Sequence, residues 1–144
     1  MNIPKISVQS RLHRTLGKVA RFNTHVSQDR LDEIGLSPHL IAGEKILGVY
    51  ENHETDNFFV VTDTALIQFL DGLPSRYDFD QMESSQILVT EKSVANEVQI
   101  TLRNKELLIV VADGGDGKFR DVFSLGRFIA RVIEDHHTKP KIQD

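Results

Sequence analysis

The stretch VADGGDGKFRDVF, Val111 to Phe123, sets three aspartates among three glycines within thirteen residues. Carboxylates at that density can ligate a divalent cation, and glycine-rich backbone can cradle a phosphate. Neither pattern is complete. Calcium takes about six to eight oxygens, and the spacing departs from an EF-hand loop. A phosphate-binding loop places Ser or Thr after its lysine, but Lys118 is followed by Phe119 and the upstream glycine is missing. Asp113, Asp116 and Asp121 would also repel a phosphate. What remains is a chain reversal, in which Gly114, Gly115 and Gly117 carry the backbone from a strand into a helix.

Other reactive side chains are scattered. The histidines are His13, His25, His39, His53, His136 and His137, and only the last two are adjacent. Neighbours on a helix point about 100° apart, so no metal site is expected. There is no cysteine and no GxSxG, which removes disulfides, thiolate zinc sites and the commonest nucleophile motifs. Asp78 and Asp80 fall on one face of a predicted strand, with Tyr77 and Phe79 on the other. They are read as solvated carboxylates, since acids become catalytic only where burial perturbs them. No catalytic residue, cofactor or small-molecule substrate is expected.

The cations are better organised. Residues 1–28 carry Lys5, Arg11, Arg14, Lys18 and Arg21 and no Asp or Glu, which leaves −9 for the rest of a chain whose formal charge is −4. Val8, Leu12, Leu16 and Val19 recur at helical spacing, with the cations on the other side. The pattern predicts a basic amphipathic helix over Val8–Arg21, weakened at Gly17. The residues singled out for a membrane or partner contact are Arg11, Leu12, Arg14, Leu16, Lys18, Val19 and Arg21. Three roles compete: the stripe packs on an acidic body, lies on an anionic membrane surface, or brings cations to nucleic acid. The acidic remainder argues against nucleic acid. The same composition would also suit an organellar transit peptide.

Behind these residues, 144 positions with 40% apolar and 26% charged content predict one globular domain with a sizeable core. The longest aliphatic run, Leu107 to Ala112, cannot span a bilayer, and no secretory apolar region opens the chain. With no cysteine, a cytoplasmic location is expected. Ser27 and Gly35 bracket a short helix over Gln28–Ile34. From Glu44 the period becomes that of strands: EKILGVYEN, NFFVVTD, ALIQFL, RYDFD, QILVTE, EVQITLR and ELLIVVA. DGLPS reads as a turn, and Asn104-Lys105 as a two-residue hairpin connection. Leu125, Phe128, Ile129, Val132 and Ile133 mark a closing helix, with Asp121 or Ser124 to cap it. The tail HHTKPKIQD is polar and expected to fray.

Seven hairpin-ordered strands closed by one amphipathic helix resemble the pleckstrin-homology (PH)-like fold, especially its bacterial members. GEKIL (Gly43–Leu47), FVVTDTALI (Phe59–Ile67), RYDFDQM (Arg76–Met82) and the helix DVFSLGRFIARVIED carry the likeness, over Leu40 to Asp135. It implies an α+β, mainly β architecture: a seven-stranded antiparallel, partly open barrel or sandwich capped by a C-terminal helix. Residues 1–39 would form a helical extension, 40–136 the PH-like domain and 137–144 a tail. Lipid-binding members place basic residues between the first two strands, whereas ENHETDN offers Glu51, Glu54 and Asp56 there. The resemblance therefore implies a non-enzymatic binding or scaffold domain acting through a protein partner or another copy of itself. The alternative is a peripheral membrane adaptor tethered by the N-terminal helix.

Overall fold

The central strands have too many apolar residues for one face to bury. In the computed structural model, which describes residues 5–89, 95–115 and 120–137, both faces are covered. Helix α1 (Lys5–Arg14) leads through a 3₁₀ turn to a two-residue strand β1 (Phe22–Asn23) and helix α2 (Gln28–Glu33). Strands β2 (Ile46–Glu51), β3 (Phe58–Thr62), β4 (Ala65–Leu70) and β5 (Leu73–Asp78) follow, and with β1 they form a five-stranded antiparallel sheet in chain order. A second sheet holds β6 (Met82–Leu88), β7 (Glu97–Leu102) and β8 (Leu107–Val111), and helix α3 (Asp121–His137) ends the fold.

The architecture is therefore α+β and mainly β, as expected. The two sheets are not closed into a barrel. Between them lies the larger core. Tyr50, Phe59 and Leu66 of the first sheet meet Val98, Ile100 and Val110 of the second. Phe128 of α3 packs edge-on to Phe79 at 5.8 Å between ring centroids. The predicted apolar stripe of α3 is buried from Val122 to Ile133. Gly126 lets α3 come close to β6, because a Cβ there would stand 2.7 Å from the Ile87 side chain.

The second core lies on the outer face of the five-stranded sheet. Val49, Val60, Ile67 and Phe69 pack there against Leu36, with Val26, Leu31, Ile34 and Leu40 around them. The segment before Leu40 thus works as a covering layer on one face while α1 enters the other core through Val8, Leu12 and Leu16. No structural break separates residues 5–39 from the sheets.

Several local expectations change. The first helix stops at Arg14 instead of running to Arg21. Thr15 turns its hydroxyl back onto the Arg11 carbonyl at 2.8 Å, and Leu16–Lys18 form a 3₁₀ turn. Hydroxyls that compete for helix carbonyls favour such ends. Only Asp71-Gly72 turns in DGLPS, with φ of 52° and 79°. Leu73, Pro74 and Ser75 belong to β5, because that positive-φ pair suffices for a tight hairpin. Beyond Asn104-Lys105, the connection spans Arg103 to Glu106, and the positive φ falls on Lys105 at 73°. Ser27 accepts from the Arg30 amide at 3.2 Å as the cap of α2. Thr90 and Glu91 of QILVTE, Asp116–Phe119 of the glycine loop and the tail from 138 lie outside the described residues.

Leu16 is fully buried between α1, α3 and the sheets. Leu16→Ala is expected to lower stability by about 2–5 kcal/mol. Urea unfolding of the full chain measures this, and a loss under about 1 kcal/mol would mean that the N-terminal segment is not part of the cooperative core.

Candidate functional site

The seven residues singled out in the basic segment do not converge. Leu12 and Leu16 are 3% and 0% exposed, and Val19 packs against the same core. The apolar stripe is thus seated on its own chain, and it cannot dip into lipid unless α1 undocks. Arg11 grips Asp135 of α3 side-on, with Nε–Oδ2 at 2.9 Å and Nη2–Oδ1 at 2.8 Å. That hydrogen bond raises the guanidinium further above its ordinary range, against the opposing effect of burial. Arg21 turns to His53 and to the Glu51 carbonyl. Arg14 and Lys18 stay exposed, with no ion pair to any described residue.

The glycine loop is the reversal its sequence predicts, over its described part, and its first aspartate is a structural clamp. Asp113 is 7% exposed and its carboxylate accepts from the amides of His53 (2.5 Å) and Glu54 (2.9 Å). The β2–β3 loop is thereby pinned beneath the start of α3. Asn52 accepts from the Asp113 amide at 2.9 Å and donates to the Asn57 carbonyl at 3.1 Å. Tyr50 donates to Asp121 at 2.7 Å and accepts from the Gly114 amide at 3.0 Å. Burial, and then the bond to Asp121, push this phenol above its ordinary range. Gly114 has no room for a side chain, because a Cβ would sit 2.7 Å from the Arg21 side chain and 2.9 Å from the Tyr50 hydroxyl. Every group in this node has a protein partner, so it reads as scaffolding. The Asp121 carboxylate, expected as a helix cap, accepts from Tyr50.

At the other end of the sheet, Glu44 makes a second node. Its side chain is fully buried. It accepts from Arg76 Nη1 at 2.7 Å, the Ile41 amide at 3.0 Å, Thr64 at 2.8 Å and the Thr62 hydroxyl. Burial alone would raise this carboxyl, but the bonds from Arg76, Thr62, Ile41 and Thr64 outweigh it and bring it from 4.5 to about 2. Arg76 also reaches Asp78 (3.0 Å) and the His39 carbonyl (3.1 Å), tying the covering segment to β5. Asp78 is thus an ion-pair partner, and Asp80 lies beyond the strand in a 3₁₀ turn. The two carboxylates do not face one another across a cleft. No cluster of three or more metal-ligating side chains occurs among the described residues, and no helix there is long and apolar enough to cross a membrane.

The sheet edges differ from one another more than these nodes do. On the five-stranded sheet, one edge ends in two-residue β1, and the other, β5, carries Pro74. Proline offers no N–H to an incoming strand. On the second sheet, the β8 edge is closed by a side chain: Gln68 of β4 donates to the Ile109 carbonyl at 2.8 Å and accepts from the Val111 amide at 3.3 Å. Among the described residues, the β6 edge carries no proline and no covering side-chain bond, and its one irregularity, a register shift between Met82 and Ser84, lies at its start. In an antiparallel ladder, successive residues turn their backbone groups to opposite sides. Ala112 bonds to Asn96 and Arg103 to Gln81, so Val98 and Ile100 face β8 while Gln99 and Thr101 face β6. Their register partners Gln86 and Ser84 turn inward to β7, which leaves the N–H and C=O of Ser85 and Ile87 pointing outward. Beside them runs a groove of about 270 Å³ lined by Ser85, Gln86, Ile87, Gly126, Arg127 and Ala130. A cleft of about 520 Å³ extends it along Gln86–Val89 and Ala95–Glu97.

Searched against protein-family models, curated proteins and solved structures, the chain matches none.

Glu44 supplies a pH test of the geometry. A carboxyl lowered on folding from 4.5 to about 2 contributes stability above pH 4.5, lost as pH falls toward 2, and worth about 3 kcal/mol. The stability gap between wild type and Glu44→Gln should hold steady above pH 4.5 and narrow below it. Urea midpoints measured across that range would contradict the node if the gap did not change.

Proposed function

We propose that this chain is a non-enzymatic PH-like binding domain that takes an extended segment of a protein partner as an added strand on β6. The observation that supports this reading is the contrast between edges. Exposed sheet edges invite pairing, and proteins blunt them with short strands, proline or covering groups. Here three edges carry a short strand, a proline or a covering side chain, whereas among the described residues β6 carries none of these from Ser84 onward, past a register shift at its start. Main-chain bonds to Ser85 and Ile87 would give affinity, and the groove beside α3 would select side chains. Arg127 at the groove favours an acidic or polar neighbour. A second copy of the chain could supply the strand as well as a different protein. Cysteine-free composition suits a reducing compartment, and we place the domain in the cytoplasm. The rival role, a membrane adaptor, requires α1 to give up the buried contacts of Leu12 and Leu16 and the Arg11–Asp135 clamp.

Proline substitution separates binding from folding at this edge. Ser85→Pro deletes an N–H that faces outward and costs no ladder bond. Gln86→Pro deletes one that pairs with β7 and should destabilise by about 3 kcal/mol or more. Peptides selected by phage display on the wild-type chain are expected to lose binding to Ser85→Pro while its melting temperature stays near that of wild type. Sedimentation of the two proteins reports whether a second copy uses the same edge. Equal peptide binding and equal sedimentation of a folded Ser85→Pro chain would overturn the reading.

A further inference from the structure

A second recess shares no lining residue with the grooves beside β6, and its lining differs in charge from the acidic chain as a whole. Where β1 ends, β2 runs on past it, and α1 crosses nearby. The resulting cleft of about 770 Å³ is lined by Gln9, Ser10, Leu12, His13, Gly17, Thr24, His25, Lys45, Ile46 and Leu47. That volume lies within the roughly 300–1,000 Å³ of small-molecule sites. Leu12 and Leu47, 3% and 6% exposed, give it an apolar floor. Lys45, His13 and His25 stand exposed at its mouth beside the hydroxyls of Ser10 and Thr24. No Asp or Glu lines it, although the chain carries 21 acidic residues against 17 Lys and Arg. The cleft at the other end of β2 contrasts with it. There Arg30 is already paired with Glu33 and Glu51, and Asp56 adds further negative charge.

We infer that this cleft binds a small organic monocarboxylate with an apolar tail. Charge decides between the anions. With histidine counted neutral, Lys45 is the one full cation of the lining, which matches a monoanion and falls short of a dianionic phosphate. Its ammonium has no ion-pair partner among the described residues. The carboxylate would accept from Lys45, from the imidazole N–H groups of His13 and His25, and from the hydroxyls of Ser10 and Thr24. The tail would lie on Leu12, Ile46 and Leu47. This site is independent of the β6 edge, so either can fail without the other.

The probe is octanoate, titrated into the full chain and followed by calorimetry and by amide shifts. Octan-1-ol carries the same tail without the charge, and inorganic phosphate carries charge without the tail. Octanoate is expected to bind with shifts centred on Ser10, Thr24 and Leu47. Octan-1-ol, phosphate and the Lys45→Met variant should each bind at least about tenfold more weakly, the scale of one charge-assisted hydrogen bond. Should Lys45→Met fail to fold, His25→Asn serves in its place with a smaller loss of the same sign. Absence of octanoate binding overturns the inference, as does equal affinity for octan-1-ol, equal or tighter binding of phosphate, or unchanged affinity in the folded variant.

Discussion

Burial of the β2–β4 strands on both faces is the constraint on which the rest depends. A sheet with one wet face alternates polar and apolar residues, whereas one covered on both sides reads as a continuous apolar run. FFVVT and ALIQFL are of the second kind, and β3 and β4 are buried at almost every position. Something must therefore cover the outer face, and among the described residues the chain that does so precedes β2. Leu31, Ile34, Leu36 and Leu40 supply that cover. The N-terminal segment is thus required by the composition of strands that come after it.

Covering both faces brings backbone and side-chain polar groups inside, and those need partners. The fold gathers them at the two ends of the sheet. Glu44 and Arg76 serve one end, with Thr62 and Thr64 completing the carboxylate's shell. Tyr50, Asn52, Asp113 and Asp121 serve the other. A lone buried carboxylate is costly, but one accepting several hydrogen bonds is a rigid joint. These joints place Glu44, Asp113 and Asp121 in structural roles, and they leave the β6 edge and the α1 cleft as the places with free binding capacity.

Much of the architecture was legible because period and turn chemistry agree. EVQITLR alternates and β7 alternates in burial, and the stripe from Leu125 to Ile133 faces the core. Pro74, read as part of a turn, lies inside β5, and Gln68 within ALIQFL drew no reading although its side chain is a polar group that an apolar strand must satisfy. The destination of that group, the backbone of β8 some 40 residues on, depends on packing between sheets and has no local signature. The same holds for the open β6 edge, which is defined by what neighbouring elements omit. The basic segment misled in one respect. Its amphipathic spacing describes a helix that could serve membrane or core equally well, and only the shape of the body decides that Leu12 and Leu16 are interior. Of the candidate site residues, Arg11 and Arg21 found intramolecular partners that charge counting along the chain could not assign.

The clamp between Arg11 and Asp135 joins residues 124 positions apart. During synthesis the chain emerges from its N-terminus at roughly 5–20 residues per second. The segment with Val8, Leu12 and Leu16 would then wait on the order of ten seconds before the helix that receives it exists. Its five cations and absence of acids make copies of it repel one another in that interval. Like charges thus flank an apolar stripe through the interval before the helix that receives it has been made.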